Sequence, residues 1–191
     1  MTDDLIRKEM RMIKDLGANF IRLGHHQQSR LVLDLCDELG LMVWEEVPWC
    51  RGGLGGDRYQ TQARDMLRAM IDQHFNHPSI ILWGLGNEND WPGDFEAFDQ
   101  EEIKAFMTEL NVMAHQLDPS RQTAIRRCDF CKDIPDVYSP SIYSNCAQVE
   151  LFVNGVSAGT RTRNSQDFPA AGLRWLVTLR EGENVIRWME S

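Results

Sequence analysis

Hydrophobic and polar positions alternate with two different periods over the first three quarters of the chain. In "DDLIRKEMRMIKDLG", Ile6, Met10, Ile13 and Leu16 recur at helical spacing and Gly17 supplies a C-terminal stop. "ANFIRLG" follows as a short strand. "SRLVLDLCDELG" predicts a helix with Ser29 as N-cap, Leu31, Val32, Leu35, Cys36 and Leu39 on one face, and Gly40 as stop. "LMVWEEV" reads as a strand and the glycine-rich "PWCRGGLGGDRY" as a loop. Ala63, Leu67, Met70, Ile71 and His74 mark the inner face of another helix. "SIILWGLGNEND" is an apolar strand that turns polar at Asn87, Glu88, Asn89 and Asp90. A helix from about Phe95 to Leu117, a strand "QTAIR", a connection and a last strand in "DVYSPSIY" complete this part. Five strands separated by helices imply parallel pairing with right-handed crossovers, hence an α/β sheet or barrel.

Beyond residue 145 the pattern becomes all-β, so the expected domains are 1–145 and 146–191. "QVELFVNGVSAGTRT" predicts a hairpin around Asn154-Gly155, and "LRWLVTLREGENVIRW" predicts two more strands around "REGE". Four strands fall short of the roughly 100 residues of an immunoglobulin-like sandwich, so the tail is expected to be part of one.

Composition narrows the partners. The 191 residues carry a formal charge of -9 and 42% hydrophobic residues. That balance suits a globular protein and argues against nucleic acid or an anionic membrane surface, both of which need clustered Lys and Arg. No run approaches the ~18 apolar residues of a spanning helix, and "MTDDLIRKEM" has acids where a signal peptide has bases. Cys36, Cys50, Cys128, Cys131 and Cys146 are an odd, scattered set. Reduced thiols and a cytoplasmic location are the expectation.

In parallel α/β architectures, reactive side chains sit where strands end at their C-terminal edge. Glu88 lies at such an end, as do His25 and His26 after "FIRLG", Glu45 and Glu46 in "VWEEVPW", and Arg126 with Arg127 after "QTAI". These charges are expected to converge on one rim, where Glu45 is also a candidate ion-pair partner for Arg22. Trp44, Trp49, Trp83 and Trp91 have faces suited to a sugar ring, though Trp44 and Trp83 lie within strands and read better as core. Cys128-x-x-Cys131 has half the spacing of a zinc site with no matching second pair. His74 and His77, at a helix end, suit the dipole there.

"GANFIRLGHH", "LDLCDELGLMVWEEVPW" and above all "NHPSIILWGLGNE" resemble the (β/α)8 catalytic domain of glycoside hydrolase family 2, the group of β-galactosidases, β-glucuronidases and β-mannosidases. The tail's "VELFVNG" is similar to a β-sandwich domain found behind that barrel. The resemblance implies a partial TIM-type barrel followed by a small immunoglobulin-like β segment. It implies retaining hydrolysis of β-glycosidic bonds, with Glu88 as general acid/base and Asn87 holding the sugar's 2-hydroxyl. Arg22, His25, Glu45, Glu46 and Trp49 become candidate substrate-binding residues. The carbohydrate substrate needs no cofactor and no metal. His26 and Gln27 stand where the family usually has Tyr-Pro. The five strands correspond to the family's second to sixth, and the nucleophilic Glu that ends the seventh has no counterpart. Glu150, Glu181 and Glu183 lie in the β segment. The chain is therefore expected to be inactive alone and to self-associate through open barrel edges. A non-catalytic carbohydrate-binding remnant and an inactive truncated product are the alternatives.

Overall fold

The computed structural model describes residues 2–95, 97–139, 148–162 and 185–190, and the chain divides into two compact units, Met1–Ser141 and Ile142–Ser191. The first alternates helix and strand: α1 (Asp3–Asp15), β1 (Phe20–Leu23), α2 (Arg30–Leu39), β2 (Met42–Glu46), α3 (Asp57–His74), β3 (Ile80–Asn87), α4 (Gln100–Leu117), β4 (Gln122–Arg126) and β5 (Val137–Ser139). All four strand pairs are parallel, and the sheet order β1-β2-β3-β4-β5 follows the sequence. This is five-eighths of a (β/α)8 barrel; among the described residues β1 and β5 are open edges.

Ser29 takes the N-cap position of α2 but makes no side-chain cap bond, whereas the predicted glycine stop works as its chemistry requires. Gly40 ends α2 in the left-handed region at φ 62, and its N–H bonds the Cys36 carbonyl. Leu33, Leu35 and Cys36 of α2, Leu67, Met70 and Ile71 of α3, and Ile103, Met107 and Leu110 of α4 are almost wholly buried with Val43, Ile80, Leu85 and Ile125 of the strands. Each such side chain contributes about 1.5–3 kcal/mol by leaving water. Gly84 has a steric reason: a Cβ there would fall 2.3 Å from both the Glu46 Cβ and the Trp44 indole nitrogen. β3 has register shifts against both neighbours, at Val43/Trp44 and at Gly84/Gly86.

α4 begins later than its hydrophobic period predicts. Asp99 takes the N-cap position and accepts the Glu101 and Glu102 N–H groups at 2.8 and 3.1 Å. Phe95 and Phe98 instead pack edge-on against Tyr59 and Phe130, at 5.0 and 6.2 Å between ring centroids. The connection after β4 contains a 3-10 turn, Asp129–Cys131. Of "DVYSPSIY", Val137–Ser139 form β5, and the last four residues lie outside the described residues.

The second unit is an antiparallel sheet of β6 (Gln148–Val153), β7 (Val156–Thr162) and β8 (Ile186–Glu190) in the order β7-β6-β8. Asn154 and Gly155 connect β6 to β7 with φ 54 and 80, the pair of positive angles that a two-residue hairpin turn demands. The predicted "REGE" turn and the strand before it lie outside the described residues.

Asp118 closes the far end of α4 onto β3. Burial alone would raise its carboxyl, but hydrogen bonds from Ser120, Arg121 and Trp83 outweigh burial and hold it down at about 2. The folded state thus binds this proton less readily than the unfolded state. The stabilisation is complete above about pH 5 and is lost as pH falls toward 2, with a total of about 2 kcal/mol. Urea unfolding at about pH 5 and pH 3 should show this loss, and Asp118→Asn should be weaker at the higher pH with a smaller acid dependence. An acid dependence unaltered by the substitution would contradict the assignment.

Candidate active site

The C-terminal ends of β1, β2, β3 and β4 carry one connected polar cluster. Its centre is Arg22, whose side chain is 21% exposed, against Glu46, which is wholly buried. Arg22 Nε donates to Glu46 Oε2 at 2.9 Å, and Nη2 donates to Glu46 Oε1 at 3.1 Å and to Asn87 Oδ1 at 2.8 Å. The guanidinium also lies over the Trp44 ring, 4.8 Å from its centroid. The His25 Nδ1–H donates to the same Glu46 carboxylate.

Asn87 is fixed at both ends of its amide. Arg22 holds the oxygen, and Nδ2 donates to the Cys50 sulfur at 3.2 Å, which leaves one amide hydrogen for a ligand. Its backbone is bracketed by residues 49–51: Asn87 N donates to the Trp49 carbonyl at 2.9 Å, and Arg51 N donates to the Asn87 carbonyl at 2.7 Å. The buried Asn89 side chain donates to the Trp49 and Arg51 carbonyls and braces the same segment.

Glu88 follows in the left-handed region at φ 54. Its N–H bonds the Arg126 carbonyl at 2.8 Å, and Oε1 accepts from Arg126 Nη1 at 2.8 Å. The Glu88 side chain is 19% exposed, so it is the carboxylate in this cluster that faces solvent. Arg127 turns the other way, toward Asp90 at 3.6 Å and the Trp91 ring at 5.3 Å.

Arg22, His25, Glu46, Asn87 and Glu88 are thus brought to one rim, whereas Glu45 and Trp49 are not. The partner of Arg22 is Glu46, not Glu45, because Arg22 sits beside Trp44 in the β1–β2 register and side chains two apart share a face. Glu45 points away, binding the Gln28 N–H and the His74 Nδ1, each at 2.8 Å. Trp49 has no exposed surface: it packs edge-on to Phe106 and donates its indole N–H to the Gly53 carbonyl. Cys50 had no sequence signal. Arg126 had one, as a cation just past the apolar "TAI".

Cys128 and Cys131 are buried around the 3-10 turn. The hydrogen bond with Cys131 and burial push the Cys128 thiol far above its ordinary range, the reverse of what a thiolate ligand needs. Among the described residues, Asp34, Asp37 and His77 bring ligand atoms within 4.8 Å of one another. They lie before β3, at the end opposite Glu88, and Asp37 is already held by the His77 Nδ1 and the Ser79 N–H. No described helix is long and apolar enough to cross a membrane.

A partial parallel barrel with its polar cluster at the C-terminal strand ends belongs to the class of (β/α)8 domains. The family description "Glycosyl hydrolases family 2, TIM barrel domain" fits residues 1–168, and the chain belongs to that family. It is 55% identical over 139 residues to a protein of Formosa agariphila named provisionally as a β-glucuronidase, covering 72% of this chain and 17% of that protein. It is 36% identical over 134 residues to the β-galactosidase of Thermoanaerobacterium thermosulfurigenes, covering 69% and 17%. All of the chain superposes on 44% of the Parabacteroides merdae β-glucuronidase crystallised with glycerol in its active site, with a TM-score of 0.73 and 38% identity. The chain therefore spans 17% of the length of these two sequence relatives.

The geometry separates a wholly buried carboxylate, Glu46, from a partly solvated one, Glu88. Glu46→Ala should cost about 3–5 kcal/mol in urea unfolding, because it leaves the Arg22 charge without its partner. Glu88→Gln should cost under about 1 kcal/mol, because its ion pair is partly solvated. Equal losses in the two variants would contradict this division.

Proposed function

We infer that this chain provides the proton-donating half of a retaining β-glycoside hydrolase site. The observation that carries the reading is Glu88 at the solvent-facing end of β3, beside an Asn87 amide held by Arg22 and Cys50. In this role the Glu88 carboxyl gives its proton to the glycosidic oxygen, Asn87 donates to the sugar's 2-hydroxyl, and His25 contacts the ring from the neighbouring loop. The names of the relatives point to β-glucuronides and β-galactosides as the substrates to try first.

A retaining mechanism also needs an ionised carboxylate about 5–5.5 Å from the acid to attack the anomeric carbon. Glu46 is committed to Arg22 and His25, and Glu45 to His74. Only residues 140–147 separate β5 from β6. A further parallel strand needs a crossover of about a dozen residues or more, so no barrel strand fits in that interval to carry the nucleophile. General acid help contributes about 10²- to 10⁴-fold, far less than enzymatic glycoside cleavage requires. The chain alone is therefore inactive in this reading. The edges of β1 and β5, unpaired among the described residues, and the exposed Phe20, Met42 and Ile81 support self-association as part of it.

The test is cleavage of aryl β-glucuronides and β-galactosides by the protein and by Glu88→Gln, with and without azide. Azide takes the place of the missing nucleophile and attacks the face of the sugar opposite the leaving group. The expected result is background cleavage by both proteins without azide. With azide, the parent protein should form the glycosyl azide of inverted configuration and the Gln variant should not. Ordinary turnover without azide, lost on Glu88→Gln, would show that a second carboxylate is present.

A further inference from the structure

Four tryptophans in the first unit were candidates for stacking on a ligand, and burial separates them sharply. Trp44 is 4% exposed and Trp49 and Trp83 are not exposed at all, whereas Trp91 is 49% exposed. Trp91 is also tied to Glu88 through the main chain: its backbone N–H donates to the Glu88 carbonyl at 3.0 Å, closing the turn over residues 88–91. Arg127 lies over the indole at 5.3 Å, and its Nε is 3.6 Å from Asp90 in the same turn. The backbone at Gly52 presses on the turn from the other side, so closely that a Cβ there would fall 1.4 Å from the Trp91 carbonyl oxygen. Trp91 is thus the one of the four whose ring reaches water, and it stands on a turn fixed by its own hydrogen bond, by the Arg127 side chain and by the backbone at Gly52.

Strain marks the same place. Glu88 and Arg127 have φ of 54 and 47, a region that residues with a Cβ rarely adopt. Together they aim the Glu88 carboxylate at Arg126 and the Arg127 guanidinium at the Trp91 ring. Non-glycine residues held in this region concentrate at ligand sites.

We propose that the Trp91 indole, held by Arg127, is the binding platform for the leaving group, and that it selects a flat, uncharged one: an aryl group or the apolar face of a second sugar ring. The proposal rests on the reading of Glu88 as the proton donor. The atom that receives that proton links the sugar to its leaving group, so the leaving group must lie beside the Glu88 carboxyl, where the turn carries Trp91. Charge argues for the uncharged class, because Arg127, the cation over the indole, is already matched by Asp90.

The test uses thioglycosides, which bind without being cleaved, and so is independent of Glu88 chemistry. Affinities of phenyl and methyl 1-thio-β-glucuronide, and of the corresponding galactosides, are measured by titration calorimetry for the parent chain, Trp91→Ala and Trp91→Phe. In the parent, the phenyl compound should bind about three- to tenfold more tightly than the methyl compound of the preferred sugar. Trp91→Ala should abolish that preference and leave the methyl affinity unchanged, and Trp91→Phe should keep most of it. A phenyl preference that survives Trp91→Ala, or an equal loss for both compounds, overturns the platform while leaving the sugar site standing. Absence of binding by either compound to the parent overturns both the platform and the sugar site.

Discussion

A buried carboxylate has to be paired, and the pairing of Glu46 with Arg22 is the constraint on which the rim of the barrel depends. Glu46 is wholly buried at the end of β2, and its charge is tolerable only because the Arg22 guanidinium and the His25 imidazole reach it from β1 and the loop that follows. The same guanidinium extends to Asn87 on β3. One cation therefore ties three adjacent strand ends together and fixes the amide next to Glu88. A parallel sheet makes this possible, because it brings all its C-terminal strand ends to one edge.

Much of this was legible in the sequence because local rules and the fold agree. Gly40 stops α2 because it adopts a positive φ, and Asn154-Gly155 turns the hairpin because both residues do. The buried face of α3 is the one that the 3.6-residue period marks; in α2 the stripe holds at Val32, Leu35 and Cys36, and Leu33, outside it, is buried as well. The assignment of Glu45 to the rim went against a rule that was equally available. Adjacent residues of a strand face opposite sides, so one of Glu45 and Glu46 had to point away from Arg22, and the register selects Glu46.

Other features depend on contacts between distant segments, which periodicity does not encode. The late start of α4 follows from an aspartate cap and two aromatic contacts. Trp49 is buried because Phe106 of α4 covers it, so an aromatic residue in a polar loop became core. Cys50 reaches Asn87 across 37 positions, and Arg126 reaches Glu88 across 38. Only the folded sheet makes these pairs neighbours.

A retaining mechanism needs two carboxylates, and the function proposed for this chain is that of the proton-donating one. In the proposed reading the proton donor has its backbone bonded to β4 and its neighbouring amide fixed, while Glu46 and Glu45, the other carboxylates at the described strand ends, are committed to Arg22 and His74. The most direct measurement is the intact mass of the protein after incubation with a 2-deoxy-2-fluoro-β-glycosyl fluoride of the glucuronide or galactoside series. Such a reagent leaves a long-lived glycosyl ester on a nucleophilic carboxylate. The account predicts an unchanged mass. A stoichiometric gain of one fluorosugar, mapped by peptide sequencing to an Asp or Glu of this chain, would contradict it.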